Sequence, residues 1–347
     1  MSGLIEGLPD AVALQCLARV PFILHPQLHL VCHAWRSALS SPELFKVRDD
    51  IGVTEEFLCV SAFEPENIWQ VYDPVCEMWM TIPPLPSEIK HLTNFGAVSV
   101  AGKLFVLGGG SDDVNPVTGD HGGIFATDEV WAYEPVCRKW IRRAPMLVAR
   151  AMFACCVLDR RIIVAGGFTN LRKSISNAEI YDPDKDVWEP IAELQHTHNS
   201  ACSGFVYEGK LHVLHKGLSK VQIFEGSEQG WIVEDYGWLP GPMAIVKGEL
   251  YVVSNSMIIR QHKNPESRRY IASAPSCARR IGFGMIGMGH DLYVIGGVIG
   301  PGRSNHVIES LSDVDVLRIK NERHVWHQAT RMNRCRGTIV GCTILRI

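Results

Sequence analysis

A small all-α segment followed by an all-β propeller of six four-stranded blades, closed by the C-terminal strand, is the fold class that this 347-residue chain predicts. Three observations carry it. An aromatic or apolar residue stands seven positions before a tryptophan at five places along the chain. Three apolar strands end in a glycine pair. Residues 1–50, in contrast, carry helical periodicity.

In the N-terminal segment, Leu8-Pro9-Asp10 opens a helical run that places Ala13, Leu14, Leu17 and Val20 on one face, with Asp10 as the expected N-cap. Leu28, Val31, Cys32, Trp35 and Leu39 then follow amphipathic-helix spacing. Ser41-Pro42-Glu43 starts a short third helix, with Ser41 capping and Pro42 in the first turn. Fifty residues of this kind cannot bury a sizeable core alone, so Leu4, Ile5, Leu8, Leu14 and Leu17 call for a partner surface.

The β units occupy residues 51–347. Tyr72 precedes Trp79, Tyr133 precedes Trp140 and Tyr181 precedes Trp188, each with an Asp-Pro or Glu-Pro step after the tyrosine. Phe224 with Trp231 and Ile319 with Trp326 repeat the interval. The strands ending at Gly108-Gly109, Gly166-Gly167 and Gly296-Gly297 precede the aromatic strand. A glycine pair there permits positive φ and leaves room for a bulky neighbour, which the later tryptophan is placed to supply. A strand of small residues, such as Ala151–Cys156, precedes each apolar strand and suits the crowded axis of a radial array. The expected units are 55–84 completed by 336–347, then 91–145, 149–193, 197–240, 241–276 and 279–332. The first unit lacks an inner strand, and the tail from Arg336 has the character to supply it, which removes the open edges. The unit at 241–276 is degenerate, with Tyr270 at best in place of tryptophan, so a count of five stays open.

Composition excludes several classes. With 46% hydrophobic and 20% charged residues the chain reads as a folded protein with a full core, and a net charge of −3 excludes a generally basic nucleic-acid binder. No run approaches the length of a membrane-spanning helix, and the first twenty residues lack the pattern of a secretory signal. The eleven cysteines are odd in number and contain no C-x-x-C pair. Cys59, Cys155, Cys156, Cys202 and Cys342 lie in apolar strand-like runs, so reduced buried thiols and residence in the cytoplasm or nucleus are expected.

The stretches LPDAVALQCLARVP and LHLVCHAWRSALSSPELF resemble an F-box, and the roughly fifty-residue repeat behind them resembles the kelch repeat. Together, in this order, the whole chain resembles the plant F-box/kelch-repeat proteins of the Skp-interacting group. The resemblance implies a substrate-recognition subunit of a Skp–cullin–F-box ubiquitin ligase. Such a chain recruits without catalysing, and it needs neither cofactor nor metal. Its partners would be a Skp-type adaptor, through it a cullin, and a target protein, with no nucleic acid or membrane involved. By motif position, Leu4, Ile5, Leu8, Pro9, Leu14, Leu17, Val20 and Pro21 would face the adaptor, with Trp35 supporting the helices. Two alternatives accompany this reading: helices that only pad the propeller, and a propeller that binds a partner without degradation. A kelch enzyme with a metal or radical site is the third.

In a four-stranded antiparallel blade, the loops from strand two to three and from blade to blade emerge on one face. That face would collect Arg150, Arg280 and Arg336, with His91, His198 and Asn199 nearby, and the long loops 110–127 and 298–313. The arginines could grip a carboxylate or phosphate of a target segment, or they could staple blades through backbone carbonyls. Three other patterns carry less. Gly282-Phe-Gly284-Met-Ile-Gly287 matches a dinucleotide fingerprint but leads into a strand, not a helix. His25, His29 and His33 lie off the apolar stripe and read as a solvated or interfacial helix face. His196 and His198 with Asp120 and His121 form no recognisable ligand set, and Met152 and Met285 read as core fillers.

Overall fold

The computed structural model describes residues 3–347 except 112–122, 216–219, 227–228, 236, 238, 240, 263, 302–307 and 321–322. Four helices come first: α1 (Asp10–Ala18), α2 (His25–Leu28), α3 (His33–Leu39) and α4 (Pro42–Asp50). Pro9, not Asp10, is the N-cap of α1; the Asp10 carboxylate instead accepts from the Leu4 amide at 2.8 Å, tying down the chain before the helix. The amphipathic run expected from Leu28 to Leu39 is broken. Its stripe skips from α2 to α3 across an extended Cys32, whose sulfur caps the Trp35 amide, and Val31 is left exposed. Ser41 caps α4 by accepting from the Leu44 amide, with Pro42 in the first turn.

Six four-stranded antiparallel sheets follow, the architecture of a propeller, with a three-stranded ribbon beside the last. Blade one is ordered Arg336–Arg346, Glu56–Glu64, Trp69–Asp73, Met78–Thr81, so the C-terminal strand supplies its inner strand and closes the ring. The inner strands of the next four blades are Gly96–Val100, Ala154–Leu158, Cys202–Tyr207 and Met243–Val246, and that of blade six is Gly284–Met288. Small residues line these strands because neighbouring blades touch there. A Cβ on Gly96 would sit 2.8 Å from the Cys155 side chain in the next blade.

The repeat signals find two physical roles. At the Gly108-Gly109 pair φ is +57° and +79°, and a Cβ at these positions would lie 2.6 Å from the Arg150 carbonyl and 2.5 Å from the Thr93 carbonyl. The space over the pair is therefore filled by linker backbone, with the Gly109 amide donating to the Arg150 carbonyl at 2.9 Å. The pairs at 166–167 and 296–297 take the same left-handed conformation. The tryptophans do not cover the glycines. Trp79, Trp140, Trp188 and Trp231 pack on the aromatic directly across the hairpin, as in Tyr181–Trp188 with ring centroids 4.9 Å apart, and these four and Trp326 reach the preceding blade through the indole N–H. Trp79 donates to the Thr330 carbonyl, Trp140 to Pro83, Trp188 to Ala144, Trp231 to Ala192 and Trp326 to Ser273, all at 2.7–2.9 Å. Trp326 pairs across its hairpin with Leu317 and not Ile319, so in blade six the seven-residue interval is coincidental and the facing residues stand nine positions apart.

Five seams between blades are thus latched, and each also carries an apolar cluster built from both neighbours. Blade five has no tryptophan; Tyr270 pairs with Ile259, is exposed, and bonds within its own strand to Ser273. Among the described residues the seam between blades four and five has no indole latch and no shared cluster; the Arg268 guanidinium of blade five donates instead to the Gly237 carbonyl after blade four, and Val221 and Ile223 cluster with Leu214 of their own blade.

Candidate interaction surfaces

The helical segment builds a small core from Leu17, Ala18, Leu39 and Leu44, against which Leu4, Leu14, Leu28 and Trp35 pack. Leu17 is 2% exposed, which corrects its expected place on an adaptor-facing surface: it lies on the inner face of α1, toward α4. Trp35 holds the N-terminal strand through its indole N–H, which donates to the Leu4 carbonyl at 2.8 Å. Ile5 and Val20 are half-buried, and Pro9 and Pro21 are exposed. Five large apolar side chains remain exposed on this short segment: Leu8, Val12, Leu24, Leu30 and Val31, with Leu30 at 78%. Apolar surface left open on so small a unit marks an interaction site.

The segment is held to the propeller by one side chain that the sequence reading missed. Arg48 is 1% exposed; its guanidinium donates to the carbonyls of Ala18 (2.6 Å), Val20 (2.9 Å), Val53 (3.2 Å) and Ile347 (3.3 Å) and pairs with the Glu55 carboxylate. Glu55 in turn accepts from the Phe22 amide at 2.7 Å. A guanidinium can serve so many acceptors because its five N–H groups point outward in one plane. Ile347 ends the inner strand of blade one and Glu55 precedes its second strand, so the helices sit at the edge where strand one turns to strand two. The loops between strands two and three, and the blade-to-blade linkers, leave from the opposite ends of the strands.

On that opposite face the arginines do not stand as expected. Arg150 is 0% exposed; it pairs with Glu179 and donates to the carbonyls of Gly166 (2.9 Å) and Asn177 (2.8 Å). Arg280, 8% exposed, pairs with Asp315 at 3.1 Å. Both pair with an acid inside their own blades, so the stapling takes place within the blade and not between neighbours; fully buried Arg150 offers no fork to a target, whereas Nε and Nη1 of Arg280 have no described hydrogen-bond partner. Arg336 is exposed and lies 3.6 Å from Glu64. His91 stacks on Phe63 with centroids 5.3 Å apart and sits 3.4 Å from Glu66. His198 bonds to Ser200 at 2.9 Å and Asn199 accepts from Ser174 at 3.4 Å. Beside these polar groups the face exposes six large apolar side chains: Phe63, Ile124, Leu147, Leu171, Ile281 and Ile308.

The carboxylates that hold the arginines belong to a further repeat. Glu179 accepts from the Leu147 and Val148 amides, Gln70 from Arg334 and Cys335, and Gln222 from His196, in each case fixing the linker that enters the blade. Each stands two residues before the aromatic of the third strand, a polar position in an apolar strand that the sequence displays.

Nothing in this arrangement prepares a nucleophile. Burial pushes the thiols of Cys202, Cys335 and Cys342 up to about 11 and that of Cys156 to about 12, which leaves them protonated at neutral pH. All eleven cysteines are free. Among the described residues no three His, Cys, Asp or Glu side chains converge as a metal site; Asp120 and His121 lie outside those residues, as do 112–122 of the first long loop and 302–307 of the second. No helix is long and apolar enough to cross a membrane. His25 is not on a solvated face: it is 2% exposed, and its Nε2 lies 3.1 Å from the Val20 carbonyl.

Comparison with known proteins agrees with both halves. Residues 5–47 match the F-box domain family and residues 149–195 match the kelch motif. The Arabidopsis thaliana F-box/kelch-repeat protein SKIP30 is 58% identical over 347 residues, covering 100% of this chain and 98% of the relative. A second Arabidopsis F-box/kelch-repeat protein is 27% identical over 99% of this chain and 97% of its own. The Arabidopsis F-box protein AFR is 26% identical over 72% of this chain and 68% of its own length. Among solved structures, that of YjhT superposes with a TM-score of 0.57 at 13% identity, covering 79% of this chain and 95% of that one, a likeness of fold alone.

Proposed function

The chain belongs to the F-box/kelch-repeat family, and from that premise we propose that it is the substrate-recognition subunit of a Skp–cullin–F-box ubiquitin ligase, a recruiter without chemistry of its own. The helical segment docks a Skp-type adaptor, and the propeller presents a target protein for ubiquitination. The observation that carries this reading is the exposed apolar set Leu8, Val12, Leu24, Leu30 and Val31 on a segment whose opposite side is pinned to the propeller by Arg48. One surface is spent on the fold while the other is left for a partner.

The loop face then serves the target. It exposes six large apolar side chains, and Arg150 and Arg280 are already paired, so the target segment is recognised by apolar contact, with Arg336, His91, His198 and Asn199 as polar contacts. The test uses the full chain. Purified protein should capture a recombinant Skp-type adaptor, and the double variant Leu30→Asp/Val31→Asp should weaken capture at least tenfold with an unchanged melting temperature. Absence of capture by the wild-type chain, or equal capture by the variant, would refute the assignment and leave the non-degradative scaffold.

A further inference from the structure

Between the helical segment and the rim of blades one and two lies a cavity of about 410 Å³, within the range of small-molecule sites. Phe22 and Ile23 wall it from the helical side, and Phe57, Met80, Leu345 and Ile347 from the propeller. Its ionisable lining is one-sided. His25, His29, Tyr133 and Arg138 contribute to the wall, and no Asp or Glu does. The neighbouring Glu55 carboxylate and the Ile347 carbonyl are both turned to Arg48. Arg138 sits in a left-handed turn (φ +51°) beside Tyr133, and no described carboxylate pairs with it. Burial holds His25 neutral at physiological pH, so the positive charge of the site is that of Arg138.

We infer that this cavity is a binding site for a small hydrophobic anion, an apolar body carrying one carboxylate, sulfonate or phosphate group, with the body against Phe22, Phe57 and Met80 and the anionic group on Arg138. An apolar pocket of this volume gains by excluding water, and a guanidinium with no acid partner favours a ligand that brings one. The site is independent of the ligase assignment, since it rests on the junction and not on the adaptor surface.

The test uses two probes with similar apolar bodies: 8-anilinonaphthalene-1-sulfonate, which is anionic, and N-phenyl-1-naphthylamine, which is neutral. The sulfonate should bind the full chain saturably at one site with a blue-shifted emission. Arg138→Gln should weaken it about tenfold while leaving the neutral probe unaffected, as expected for loss of one charge-assisted contact. Met80→Trp, which fills the cavity, should abolish binding of both probes; Val136→Trp serves the same purpose should Met80→Trp fail to fold, with melting temperature as the control. Sulfonate binding that survives both filling variants, or that is indifferent to Arg138→Gln, would overturn the inference.

Discussion

Replacing Arg48 by alanine should separate the helical segment from the ring. The substitution removes a guanidinium that is 1% exposed and serves four carbonyls and one carboxylate. Two of those carbonyls, Ala18 and Val20, belong to the end of α1 and its exit, and two, Val53 and Ile347, belong to the propeller side. What remains is the Glu55 carboxylate with the Phe22 amide as its described partner, and four carbonyls that have lost their shared donor. Breaking a buried pair by deleting one member costs about 3–5 kcal/mol. The loss should be local, because the clusters between blades do not include Arg48. Hydrogen exchange read by mass spectrometry is therefore the assay. Amides of α1 and α4 should lose protection by two or more orders of magnitude, at about 1.4 kcal/mol per decade, while the strands of blades two and three keep theirs. Arg48→Lys should behave nearly as alanine does, since an ammonium cannot reach across the same plane of acceptors. Unchanged exchange in α1 and α4, or a stability loss below about 1 kcal/mol in Arg48→Ala, would refute the idea that this residue couples the two parts.

Two further outcomes follow from buried charge. Arg150→Met should lower the urea midpoint by an amount equivalent to about 3–5 kcal/mol, because Glu179 is left at 2% exposure without its guanidinium partner; adding Glu179→Gln, the amide already used at Gln70 and Gln222, should recover more than half of it. His25 has its pKa lowered to about 4, chiefly by burial, against an unfolded value near 6.5, so below pH 6.5 the unfolded chain takes up a proton that the folded chain refuses. Stability should therefore fall as pH drops from 6.5 toward 4, by at most about 3 kcal/mol, and the difference in melting temperature between wild type and His25→Gln should shrink or reverse across that window. A constant difference would count against a buried neutral His25.

The ring was legible because it repeats. Tyr72–Trp79, Tyr133–Trp140 and Tyr181–Trp188 each face one another across a hairpin, and three instances of one spacing are hard to mistake. The tail from Arg336 read as an inner strand because its residues are small and apolar, and it pairs with Glu56–Glu64 as that character requires. Where the reading slipped, the cause was long range. Arg150 and Arg280 looked like surface donors because their acidic partners lie about thirty residues further on, and only the third-strand polar position beside Tyr181 and Leu317 betrays them. Arg48 has its furthest acceptor 299 residues away, which no local pattern can announce. Leu17 and Val31 went wrong for a different reason: both fit the amphipathic spacing, but a break at Cys32 turns the helices so that one is enclosed and the other left in solvent.

A closed ring yields first at its weakest joint, wherever the chain happens to begin and end. Here the ends are secured by a full strand pairing and by Trp79, whereas among the described residues the joint between Asp235 and Met243 has no indole bond and no common apolar filling, only the Arg268 guanidinium on the Gly237 carbonyl. Solvent would enter in mid-chain, between blades four and five, before the termini part. A cut at that joint would leave two pieces, the second of which still threads Arg336–Arg346 into the sheet that begins at Glu56. The two pieces would hold together without a covalent link, so the same joint is the natural place to divide the protein into separately expressed halves that reassemble.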